Sequence, residues 1–78
     1  MADVEARLRK VLALEEKADP NWSEIEVICD EIVRVINEED CTQYLGTIAY
    51  KFAEDYDVRQ KSDEYASMQR EQLRRWLK

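Results

Sequence analysis

Few residues in this chain are of types that do chemistry, and their spacing points to structure before reaction. None of the 78 residues is a histidine, so the commonest general base and the commonest transition-metal ligand are both missing. Two cysteines, Cys29 and Cys41, fall short of the four ligands of a structural zinc site. Asp55-Tyr56-Asp57 begins like a calcium loop. Arg59 and Gln60 then stand where a ligand and a glycine belong, and Ala66 replaces the closing glutamate. Glu38-Glu39-Asp40 is an acidic triplet at the start of an expected helix, where it complements the helix dipole. Cys41, next in the chain, has the setting of an activated thiol but no identifiable partner residues. These residues form no catalytic constellation and no cofactor site, so the chain is expected not to be an enzyme.

The element that must position the rest is Ser23 to Asn37, SEIEVICDEIVRVIN. On a helical wheel Ile25, Ile28, Cys29, Ile32, Val33, Val35 and Ile36 gather within roughly 160°, the width of a core-facing stripe. A strand, suggested by the β-branched residues, fits worse because charges interrupt both period-two faces. Ser23 and Glu26 form an S-x-x-E capping box, and Trp22 before it is placed to staple onto Val27. Cys29 then lies some two turns, about 12 Å, from the reversal at which Cys41 sits. That mismatch in height excludes a disulfide between them and leaves Cys29 as a core thiol.

The flanking segments read as three further helices. Asp3 is positioned to cap a first helix from Val4 to about Lys17, with Val4, Leu8, Val11, Leu12 and Leu14 on one side and Lys17 in the last turn. Asp19-Pro20-Asn21 ends it. Asp40, with Gln43 in the box position, caps a third helix whose face holds Cys41, Tyr44, Leu45, Ile48, Ala49, Phe52 and Tyr56. Gly46, Ala49 and Ala53 form an edge for close helix approach, and Tyr50 falls opposite the apolar face as a candidate interface anchor. The apolar face stops at Tyr56 and resumes at Val58 roughly 160° away, which predicts a break near Asp57 with Asp57 or Ser62 as the new cap. The last helix shows Val58, Tyr65, Met68, Leu73 and Trp76, diluted by Gln69 and Gln72. The expected fold is a single all-α domain over 1–78, a small antiparallel four-helix bundle, or three helices if the last two are continuous.

Charge supplies the functional expectation. The net charge is −6, concentrated in residues 18–57, where eleven acids face only Arg34 and Lys51. Such a surface repels nucleic acid phosphates and suits a basic protein, with which complementarity speeds and selects the encounter. The acids Glu24, Glu31, Glu38, Glu39 and Asp40 lie on or near the central helix and, with Tyr50, form the expected partner-binding face. No apolar run is long enough for a membrane span, and the N-terminal MADVEARLRK lacks the apolar region of a signal peptide. A cytoplasmic location with reduced thiols follows as an expectation.

Length, acidity and helix count resemble those of the acyl carrier proteins, in which a prosthetic-group serine in Asp-Ser-Leu opens the second helix. Here Trp22 precedes Ser23, Ile25 comes one residue late and the first loop is short, so Ser23 reads as a cap. In size and charge the chain is also similar to colicin immunity proteins, without a shared motif. The expected function is a small acidic non-enzymatic protein-binding module of the inhibitor, immunity, antitoxin or regulatory-subunit kind. A self-associating domain, dimeric through its C-terminal helix, is the alternative, and a carrier protein comes third.

Overall fold

The computed structural model describes residues 4–38 and 47–77, and every regular element among them is helical. The order is α1 (Val4–Glu15), α2 (Trp22–Glu38), α3 (Ile48–Glu54), α4 (Tyr56–Lys61) and α5 (Asp63–Leu77). The all-α small bundle is therefore the fold. Asp3, Glu39, Asp40, Cys41, Gln43, Tyr44, Leu45 and Gly46 lie outside the described residues.

Helix α1 buries Val4, Leu8, Val11 and Glu15 in one i, i+4, i+7, i+11 line, with Leu12 and Leu14 beside it. It stops at Glu15, short of the expected Lys17, which therefore lies beyond the last turn. The Lys17 N–H reaches back only to the Leu14 carbonyl, at 3.4 Å. Such a tightened turn closes many helix ends, and Pro20 offers no donor to continue this one.

Helix α2 buries Ile25, Ile28, Cys29, Ile32, Val35 and Ile36, the stripe its sequence predicts. Its cap is not Ser23. The Asn21 Oδ1 accepts the Glu24 N–H at 3.2 Å and the Asn21 carbonyl accepts the Ile25 N–H at 3.1 Å. The helix thus starts two residues earlier, because an asparagine after proline serves as well as a serine as N-cap. Trp22 becomes the first helical residue and packs on the core, whereas Val27 is 61% exposed, which removes the expected staple.

The second half departs further. Thr47, extended at φ −93° and ψ 170°, caps α3 and accepts the Tyr50 N–H at 3.4 Å on its Oγ1. A helix running unbroken from Asp40 to Tyr56 is thereby excluded. The break expected near Asp57 falls at Asp55, and a second follows at Ser62, one of the two expected caps. Asp57 lies inside the first turn of α4, and Ser62 caps α5 by accepting the Tyr65 N–H at 3.2 Å on its Oγ. The expected fourth helix is therefore two, a short α4 and a long α5.

Helix α2 packs against α1, α3 and α4, and α5 packs against α3 and α4. Ala49 and Ala53 are both buried, as the small-residue edge requires. On α5 the buried set is Ala66, Gln69, Leu73 and Leu77. Val58 and Met68, expected on the buried face, are 41% and 46% exposed. With Asp63 and Glu64 in its first turn and Arg74 and Arg75 in its last, α5 is charged as its dipole prefers.

Candidate functional site

Two polar features stand out, one inside and one on the surface. The inner one centres on Arg59, the only buried residue of α4 and one of the largest fully buried side chains of the molecule. Its Nε donates to both carboxylate oxygens of Glu15 at 3.0 Å. Its Nη2 lies 2.9 Å from Glu15 Oε2 and 3.8 Å from Cys29 Sγ. Its Nη1 donates to the Phe52 carbonyl and, at 2.8 Å, to Gln69 Oε1. All three guanidinium nitrogens are thus engaged, and the plane lies over the Phe52 ring with Cζ 3.7 Å from its centroid.

Each partner is held in turn. Glu15 Oε1 accepts from Arg70 Nε at 3.0 Å. The Gln69 amide donates from Nε2 to Asp55 Oδ2 and to Tyr65 Oη, both at 3.1 Å. Its oxygen faces a cation and its nitrogen a carboxylate, which is the amide orientation that satisfies both. Tyr65 Oη donates to Asp55 Oδ2 at 2.7 Å, and Lys51 Nζ lies 3.5 Å from the same oxygen. One connected set of bonds therefore joins all five helices. Among the described residues no buried side-chain nitrogen or oxygen lacks a partner.

The chemistry of this centre is that of a clamp. Burial pushes the Cys29 thiol up to about 12, outweighing the attraction of Arg59, so at neutral pH it is a protonated, unreactive thiol. Burial would raise the Asp55 carboxyl, but the hydrogen bond from Tyr65, the Lys51 ammonium and Gln69 hold it below its ordinary value. Tyr65 is raised chiefly by its hydrogen bond to Asp55, then by burial. Glu15 and Arg59 both have fully buried side chains, which leaves no room for a substrate between them.

The sequence-predicted partner-binding residues fall into three groups. Glu24 is exposed on α2. Glu31 and Glu38 are each paired, Glu31 with Arg7 at 3.1 Å and Glu38 with Arg34 at 3.8 Å. Glu39 and Asp40 lie outside the described residues. Tyr50 is not the free exposed anchor expected of it. It is half-buried, packs on the core, and its hydroxyl accepts from Asn37 Nδ2 at 3.3 Å.

Further acids outside any ion pair lie beside Glu24 on α2 and on α4. Glu26 and Asp30 on α2 and Asp57 on α4 are exposed, and none is in an ion pair among the described residues. They converge on Tyr56, whose hydroxyl is raised by burial and then by Asp30, Glu26 and Asp57. The pairing of α2 with a break-bounded α4 places them together, and neither segment alone signals it. Glu15 and Arg59 were equally inconspicuous, although Glu15 continues the inward spacing of α1. Among the described residues no group of three or more cysteine, aspartate or glutamate side chains is arranged to hold a metal ion, and no helix is long and apolar enough to cross a membrane. Comparison of the chain with models of protein families, with curated proteins and with solved structures gives no match.

Proposed function

We propose that this chain is a small acidic non-enzymatic protein-binding module that docks a basic partner. The observation that carries the reading is the convergence of Glu26, Asp30 and Asp57 around Tyr56, without a compensating cation among the described residues. Other carboxylates of the fold are matched, Glu15 by Arg59 and Arg70, Glu16 by Arg74, Glu31 by Arg7, Glu38 by Arg34, Asp55 by Lys51 and Glu71 by Arg75. Glu5, Asp19, Glu24, Glu54, Asp63 and Glu64 are exposed outside any such pair among the described residues. Like charges held together raise one another's energy, and a basic surface placed against them relieves that repulsion. Val27, 61% exposed on the same helix, adds apolar area of the kind that lies at the centre of an interface. A cytoplasmic setting belongs to the same reading, in keeping with the free thiol of Cys29.

The test uses the chain as bait. A partner captured by the wild type at low salt should be released as salt rises, because screening weakens exposed charge pairs. The combined variant Glu26→Gln, Asp30→Asn and Asp57→Asn should keep its helical circular dichroism and lose that partner. A partner that binds the variant as tightly at every salt concentration would overturn the reading. Self-association is the second reading, favoured by the exposure of Val58 and Met68. Sedimentation of the purified chain separates the two, since a dimer that dissociates on Met68→Glu supports the second.

A further inference from the structure

Helix α4 is attached to the fold differently from every other helix. Its six residues, Tyr56–Lys61, bury one side chain, and that side chain is Arg59. Val58 is 41% exposed, and Tyr56 only borders the core. Breaks bound the helix on both sides: Asp55 and Ser62 each leave the helical path. Where α2 is held by six buried side chains, all of them apolar or thiol, α4 is held by a guanidinium in a carboxylate. Such a pair recovers hydration when it separates, so opening it returns part of what burial cost. Exposing an apolar face returns nothing of the kind. Segments with few buried apolar contacts belong to the low-stability end of a fold and open without global unfolding.

We propose that α4 is a strap that opens as a unit about Asp55 and Ser62, latched by the Glu15–Arg59 ion pair, and that its opening uncovers Cys29. The thiol is wholly buried on α2 and touches the strap through Arg59 Nη2 at 3.8 Å. Its side chain is therefore accessible when the strap is open, although the backbone that carries it belongs to a helix held by six buried side chains. Accessibility of the Cys29 side chain and exchange of its own helix's amides thus report different events.

Both are measurable on the whole chain, with Cys41→Ser leaving Cys29 as the single thiol. Ellman's reagent in excess reports thiol opening, and hydrogen exchange followed by NMR reports the amides. The Arg59 and Ser62 amides, bonded to the Asp55 and Val58 carbonyls, should exchange at least about tenfold faster than those of Ile32 to Ile36, after correction for intrinsic rates. Cys29 should be labelled with the opening constant of the strap amides and with little dependence on low urea. Glu15→Gln should raise the labelling rate by about tenfold or more. If that variant fails to fold, the wild-type comparison of thiol and amides decides alone. The inference is overturned if Cys29 is labelled only as fast as the Ile32–Ile36 amides exchange, with the full urea dependence of unfolding. Fast α4 amides beside a slow thiol overturn it too, since the helix then merely frays.

Discussion

Helix α2 on one side, and α4 and α5 on the other, solve the problem of burial in opposite ways. α2 buries a continuous aliphatic stripe, Ile25, Ile28, Cys29, Ile32, Val35 and Ile36. α4 and α5 bury Arg59, Ala66, Gln69, Leu73 and Leu77, so a charge and an amide occupy positions that aliphatic residues fill in α2. The first arrangement gains stability by removing apolar area from water. The second gains little net stability from its ion pair, but it is costly to leave half-made. It also specifies a mate: only an element presenting Glu15 satisfies Arg59. The lesson is that α2 is held by area, and α4 by a pairing that reaches across to Glu15 of α1.

The largest effect should come from breaking the pairing. Arg59→Ala leaves the Glu15 carboxylate buried without its main partner and strips the Gln69 oxygen of its donor, at a cost of about 3–5 kcal/mol. Ile32→Ala hollows the aliphatic stripe at a fully buried residue and should cost about 2–5 kcal/mol. Urea unfolding checks both. The comparison sharpens with Glu15→Gln, which keeps shape and removes charge: it should destabilise far more than a volume-conserving apolar change in α2, such as Ile32→Leu. If Arg59→Ala costs less than half a kcal/mol, the ion cluster is an ornament and the two sides do not differ.

This contrast also explains which parts of the fold its sequence made legible. Aliphatic periodicity placed α2 within a residue or two and identified its buried face, because isoleucine and valine are buried by chemistry alone. Glu15 continues the line Val4, Leu8, Val11, and Arg59 continues Ala49, Phe52, Tyr56. As single residues they read as surface charges, and their burial depends on a partner 44 positions away. Gln69 was visible only as a dilution of an apolar face, when it is the bridge between Arg59 and Asp55. The excess of acids was legible as composition, and the pairing of individual acids was not. Pairing with Arg7 and Arg34 neutralises Glu31 and Glu38, and tertiary contact between α2 and α4 gathers Glu26, Asp30 and Asp57.

A smaller effect probes the outer end of the polar centre. Tyr65→Phe removes the 2.7 Å hydrogen bond to Asp55 and should cost about 1 kcal/mol or less, since solvent reaches the pair. Its pH dependence carries the sign. Asp55 is held below its ordinary 3.8, so as pH falls the unfolded chain binds the proton first. The contribution is complete above 3.8 and lost as pH falls through the folded value. Tyr65 is raised above its ordinary 10, so its contribution is complete below 10 and lost as pH rises through the folded value. The stability difference between wild type and Tyr65→Phe should therefore be flat from mildly acidic to mildly alkaline pH and shrink at both ends. Cys29 ionises alike in both chains and cancels in the difference. A constant difference from pH 3 to 11 would show that Asp55 and Tyr65 are not coupled.

The smallest effect concerns the start of α2, where two neighbouring residues compete for one role. An N-cap works by accepting a backbone N–H that the first turn leaves without a partner. Asn21 does so, with its Oδ1 on the Glu24 N–H at 3.2 Å, while Ser23 lies exposed inside the first turn. Asn21→Ala should then cost about 1 kcal/mol and Ser23→Ala should stay within about 0.5 kcal/mol of wild type. The pair of variants is informative because each residue is a good cap by type, so intrinsic preference is nearly equal and only position differs. Urea midpoints at constant slope are the readout. A reversed order, with Ser23→Ala the costlier, would mean that the helix begins where the S-x-x-E pattern puts it and that Trp22 lies before the cap. The carbonyl of Asn21 would then have to release the Ile25 N–H it now accepts at 3.1 Å, and Trp22 would lose the helical geometry from which it packs on the aliphatic core.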